Sequence, residues 1–198
     1  MGFSQALNQA IGAAKINTLF PVSVLGQQLL TVAKVISIQS ALGINRQVFF
    51  CQLGGFDTHG AQIGNQDPLL QDLSQSVNAF YTSLSQELGA DKSVVTFTAS
   101  EFGRTLQPNT AAGTDHAWGN HHFVIGSGVQ GGKFYGQFPL LSLGGSYDAT
   151  TRGSLIPTTA VDQYGATLAQ WFGVGPANLP AIFPNIANFS SSNLGFLV

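Results

Sequence analysis

Apolar positions change their period several times along this chain, and each change predicts an element. Between Val22 and Leu42, the residues Leu25, Leu29, Val32, Val35 and Ile36 fall on one stripe, opened by Pro21 and closed by Gly43, which predicts a helix. Arg46–Leu53 is instead a continuous apolar, β-branched and aromatic run broken by Gly54-Gly55, the pattern of a buried strand. Asp67-Pro68 is an N-cap and first-turn signature. After it, Leu70, Leu73, Val77, Phe80, Tyr81, Leu84 and Leu88 keep helical spacing as far as Gly89. Val94–Thr98 then reads as a second strand, and strand, helix, strand implies a right-handed crossover joining a parallel pair.

The flanks are less periodic. Gly2 to Phe20 is a mixed segment in which Leu7, Ile11 and Ala14 suggest a helical face. Phe123 to Gly126 and Leu140 to Leu143 predict short strands. Thr158 or Thr159 caps a helix whose face is Tyr164, Leu168, Trp171 and Phe172, stopped by Gly173. Pro176, Pro180 and Pro184 predict a tail wrapped over the surface in extended form. The expected architecture is one α/β domain over 1–198, with helices on both faces of a small parallel or mixed sheet.

Composition narrows the function. Of 198 residues 44% are hydrophobic, enough for a core, but only 8% are charged, against about a quarter in ordinary domains. With a net charge of -2 there is no basic patch for nucleic acid and no polybasic run for a membrane surface. No apolar run reaches the roughly 18 residues of a membrane span. Met1 to Phe20 lacks the charged start and apolar core of a signal peptide. The lone Cys51 sits in the apolar run and reads as a small buried hydrophobe.

Scarce charges make their placement informative. All four histidines, and three of the nine acids, fall in three loops at one predicted sheet edge, the edge where open sheets bind ligands. Asp57 and His59 lie two apart and converge only if Thr58 kinks the backbone. One carboxylate oxygen with one imidazole suits a divalent metal, Zn²⁺ foremost, with Ca²⁺ or Mn²⁺ as alternatives. His116 is the natural remote third ligand. Glu101 could reach a second ion or act as general base. Arg104 is a planar fork suited to a phosphate, sulfate or carboxylate. Asp115 would orient the His116 imidazole, while Trp118, Asn120, His121 and His122 would wall the site. Plainer roles exist for each. An Asp-Thr-His loop can be a turn closed by its Asp, Glu101 and Arg104 can pair, and of two adjacent histidines only one faces a given site.

At these residues the chain resembles the bacterial domain-of-unknown-function 1501 family. The matching motifs are Gly54-Gly55-Phe56-Asp57-Thr58-His59, Ser100-Glu101-Phe102-Gly103-Arg104-Thr105 and Gly113-Thr114-Asp115-His116-Ala117-Trp118-Gly119. Gly131-Gly132-Lys133-Phe134-Tyr135-Gly136, Arg152 to Thr158, Tyr164 to Gly173 and Phe183-Pro184-Asn185 match as well. The resemblance implies a relative of the alkaline phosphatase and sulfatase superfamily, with Asp57, His59 and His116 as the ligands of one metal. Glu101 then keeps a second metal's carboxylate, while Phe102 stands where those enzymes carry a histidine. The resemblance further implies the C-terminal half of a longer protein exported by a twin-arginine signal to the periplasm or beyond. The N-terminal half would hold that signal, the first strand and the nucleophile. The expected partner is that half or a second copy of the chain. Two functions follow as expectations: a metal-dependent hydrolase of phosphate or sulfate esters, complete only with its other half or degenerate, or a non-catalytic exported structural, assembly or binding protein on the same fold.

Overall fold

A computed structural model describes residues 3–197; Met1, Val198 and Gly2, the expected start of the mixed segment, lie outside the described residues. The chain divides into two compact units, Met1–Val94 and Val95–Val198. Its class is α/β as expected, with six α-helices, but in place of the expected parallel or mixed sheet the described residues form two small antiparallel sheets. No described helix is long and apolar enough to cross a membrane.

The first unit is helical. Its elements are α1 (Phe3–Ala13), α2 (Val24–Ser37), α3 (Gln39–Leu42) and α4 (Gln62–Ser83), the last continuing into a π-helical turn over Leu84–Leu88. The Ser23 hydroxyl caps α2 by accepting the Gly26 N–H at 3.0 Å. The stripe predicted across Val22 to Leu42 is real, but the helix breaks at Ile38, where φ -105 and ψ 8 leave the helical range. Leu25, Leu29, Val32, Ala33 and Ile36 of α2 pack on Phe80 and Leu84 to form this unit's core. α4 starts upstream of the Asp67-Pro68 signature and carries Pro68 inside, where proline costs a backbone hydrogen bond. Side-chain contacts from its first turn offset that loss: Asn65 donates to the Gly60 carbonyl and Gln66 to Thr58.

Arg46–Leu53 corrects the strand expectation, since no regular strand forms there. Val48 and Phe50 are 74% and 89% exposed, so burial does not drive the run into a sheet. At Gln52 a side chain takes the role of a neighbouring strand. The Gln28 amide of α2 donates to the Gln52 carbonyl at 3.1 Å and accepts its N–H at 2.8 Å. Cys51, expected to be buried, is only half-buried against the first unit's core, and burial pushes its thiol up.

The second unit is built on short ladders: β1 (Thr96–Phe97), β2 (Gly103–Arg104), β3 (His116–Ala117) and β4 (Val124–Ile125). β1 pairs antiparallel with β4, Thr96 opposite Ile125, and β2 with β3, Arg104 opposite His116. Leu140 to Leu143 forms no strand and is largely exposed. The chain turns sharply just after it, where Asp148 accepts the N–H groups of Gly144, Thr150 and Gly153. α5 (Val161–Phe172) starts without a threonine cap. Gln163 instead accepts the Ala160 N–H, and the Thr158 hydroxyl is committed to the Gln137 carbonyl. The proline-rich tail is not extended. It forms 3₁₀ turns at Pro176–Asn178 and Ile186–Asn188 around α6 (Leu179–Ile182), because proline's fixed φ suits a first helical turn. Leu179 and Ile186 thereby reach Ala166 of α5 in a second core.

Candidate metal centre

The Asp57 loop is shaped by backbone and by α4. Gly55 has φ 98, open to glycine, and a Cβ there would sit 3.1 Å from Leu69. The Thr58 N–H then bonds the Phe56 carbonyl at 3.0 Å, a three-residue turn that supplies the kink expected at this position. Thr58 is buried, and Gln66 of α4 donates to its hydroxyl at 3.0 Å, so helix and turn hold each other. The side chains on either side of the kink consequently meet, with His59 Nε2 3.0 Å from Asp57 Oδ1. Both remain about half exposed (51% and 53%). An exposed polar contact of this kind contributes little to stability, so stability alone gives little reason to place it there.

The β2–β3 ladder carries the other residues. Gly103 approaches Gly119 so closely that a Cβ would lie 2.1 Å from the Gly119 carbonyl oxygen. Just before it, the Phe102 carbonyl accepts from Ser100 Oγ and Asn120 Nδ2, each at 3.1 Å. The Phe102 ring lies flat on the His116 imidazole, centroids 3.8 Å apart and planes at 17°. Arg104 donates from Nε to Thr114 Oγ1 at 2.8 Å and from Nη2 to the Thr114 carbonyl, bracing the turn before β3. Glu101 is exposed on the bend that enters β2.

Asp115, expected to orient His116, has its two oxygens on Asn109 Nδ2 at 3.1 Å and Arg152 Nη1 at 2.6 Å. Arg152 was not singled out from sequence; its being one of only seven basic residues was the available signal. The adjacent histidines diverge. His121 tilts against Phe138, with centroids 5.0 Å apart, and is exposed. His122 stacks on Tyr164 and meets Thr98 Oγ1 at 3.3 Å. Burial first, then the neighbouring His121 charge, pushes its imidazole below the usual 6.5. Burial likewise raises the Tyr164 phenol to about 12, against the opposing pull of its bond to the Thr98 carbonyl.

The donor chemistry fits a divalent cation. In the first unit Asp57 and His59 are exposed and offer one carboxylate oxygen and one imidazole nitrogen; in the second unit His116 is an exposed imidazole. Trp118 is also exposed.

A family model described as "Protein of unknown function (DUF1501)" matches residues 28–163, well over half of the chain. No curated protein and no solved structure matches.

Proposed function

The chain belongs to the DUF1501 family, and from that premise we propose that it is an exported metal-dependent hydrolase of phosphate or sulfate esters, or the catalytic half of one. The observation that carries this reading is the Asp57–His59 pair, held side by side in an exposed position by a buried threonine turn. We assign His116 as the third ligand and Zn²⁺ as the preferred ion, with Ca²⁺ or Mn²⁺ as alternatives. A cation held by these groups supplies Lewis-acid charge to an ester oxygen. Glu101, exposed before β2, takes a proton from the attacking water as general base. Arg104 steadies the anion, from a position fixed by Thr114. The superfamily kinship, the twin-arginine export route and the place of this chain as a C-terminal half belong to the same proposal. So does a tight partner, either that other half or a second copy, for which the exposed Val48 and Phe50 are the support.

Metal content and binding titrations on the wild type, Asp57→Ala, His59→Ala and His116→Ala test the ligand set. About one ion per chain, lost in each variant, is the expected result. A wild type that binds no divalent cation would sink the reading. Assays with aryl phosphate and aryl sulfate esters then test catalysis, with Glu101→Gln expected to lose turnover while keeping the ion.

A second reading has its own observation. Phe102 stacks on His116 at the position where two-metal enzymes carry a ligand, which favours a non-catalytic exported assembly or binding protein that retains one cation. Metal binding with no turnover of any ester would select it.

A further inference from the structure

We propose that Phe102 is a positioning residue for His116, holding the imidazole in its ligating orientation before any cation arrives; this rests on the assignment of His116 as a ligand. His116 is exposed on the two-residue strand β3. The Phe102 ring covers one imidazole face at 3.8 Å and 17°, which blocks the imidazole from tilting toward that side. Phe102 is itself held. Its carbonyl takes hydrogen bonds from Ser100 Oγ and Asn120 Nδ2, and the next residue is pinned by the close approach of Gly103 to Gly119. The Arg104 guanidinium lies 5.8 Å over the same phenyl ring, an attraction between cation and ring that further fixes the phenyl. Asn120 therefore acts on the imidazole through Phe102.

Ordering an exposed side chain at the moment of binding weakens a site, and a ring ordered in advance avoids that loss. The test compares wild type, Phe102→Tyr, Phe102→Leu, Phe102→Ala and Asn120→Ala in two measurements. The first is proton NMR of the His116 ring in metal-free protein, assigned by its loss in His116→Gln. A flat phenyl neighbour shifts these resonances upfield, and the shift should persist in Phe102→Tyr, vanish in Phe102→Leu and Phe102→Ala, and shrink in Asn120→Ala. The second is competition titration with Zn²⁺. Phe102→Tyr should bind within about twofold of wild type, and Phe102→Leu and Phe102→Ala about tenfold more weakly. Phe102→Leu keeps the apolar bulk, so it guards against a folding defect in the alanine variant, and thermal melting checks both.

An unshifted His116 ring in the wild type overturns the proposal, as does wild-type Zn²⁺ affinity in a folded Phe102→Leu. A wild type with a shifted ring but no Zn²⁺ binding overturns the ligand assignment instead, and with it the purpose proposed for the stack.

Discussion

Asp57 Oδ1 and His59 Nε2 stand 3.0 Å apart because the residue between them, Thr58, is buried and bent back onto Phe56. The pairing depends on the threonine hydroxyl, which accepts from Gln66 of α4. Thr58→Val keeps the shape and removes that acceptor. It should lower stability by about 1 kcal/mol in urea melts and loosen the Asp57–His59 pair, read as weaker metal binding in a protein that still folds.

Gly103→Ala places a methyl group 2.1 Å from the Gly119 carbonyl oxygen, a backbone atom that cannot swing aside. Overpacking of this kind costs about 1–3 kcal/mol. Thermal melting should show the loss, and the His116 ring should lose its ordered environment, because the β2–β3 register depends on that approach.

Leu84 and Leu70 lie on the same apolar stripe of the sequence, yet Leu84 is 0% exposed and Leu70 is 53% exposed. Leu84→Ala should cost about 2–5 kcal/mol, whereas Leu70→Ala should stay within about 0.5 kcal/mol of wild type. Equal effects in denaturant titrations would mean that the packing of α4 on α2 is misassigned.

His122 gives a pH dependence with a definite sign. Burial, then the His121 charge, holds its folded pKa below the ordinary 6.5. Between 6.5 and that lowered value the unfolded chain binds more protons than the folded one. Its contribution to stability is therefore complete above pH 6.5 and is lost as pH falls through that window. His122→Phe, which can still stack on Tyr164, should flatten this part of the stability profile.

Asp148 shows the opposite end of the scale. Desolvation would raise its carboxyl, but N–H donors from Gly144, Thr150 and Gly153 and the Thr150 hydroxyl outweigh it and bring the pKa to about 2. A carboxylate depressed in the folded state contributes its stability above about pH 3.8 and loses it as pH falls toward 2. Carboxyl-carbon NMR titration should find the low midpoint, and Asp148→Asn should loosen the Gly144-to-Gly153 loop.

Helices and stops were legible from the residues. The α2 and α4 stripes appear as periodic leucines and valines, and Gly43, Gly89 and Gly173 end helices in left-handed conformations at the marked positions. Sheet structure was less legible. The run at Arg46–Leu53 has the composition of a strand, yet no ladder forms on it and its backbone at Gln52 is served by Gln28. The proline tail is helical rather than extended because proline limits one torsion without fixing whether a helix or an extended chain follows.

At the candidate site the division follows the range of the forces. The residue types, the need for a kink at Thr58 and the loops that carry the imidazoles are set by neighbours a few positions apart, and the chain's own order determines them. That Asp115 meets Arg152, that Phe102 lies on His116 and that His122 turns to Tyr164 are contacts between distant segments. Each depends on strand register and on which surface remains to be covered once the cores have packed, and only the tertiary structure decides that.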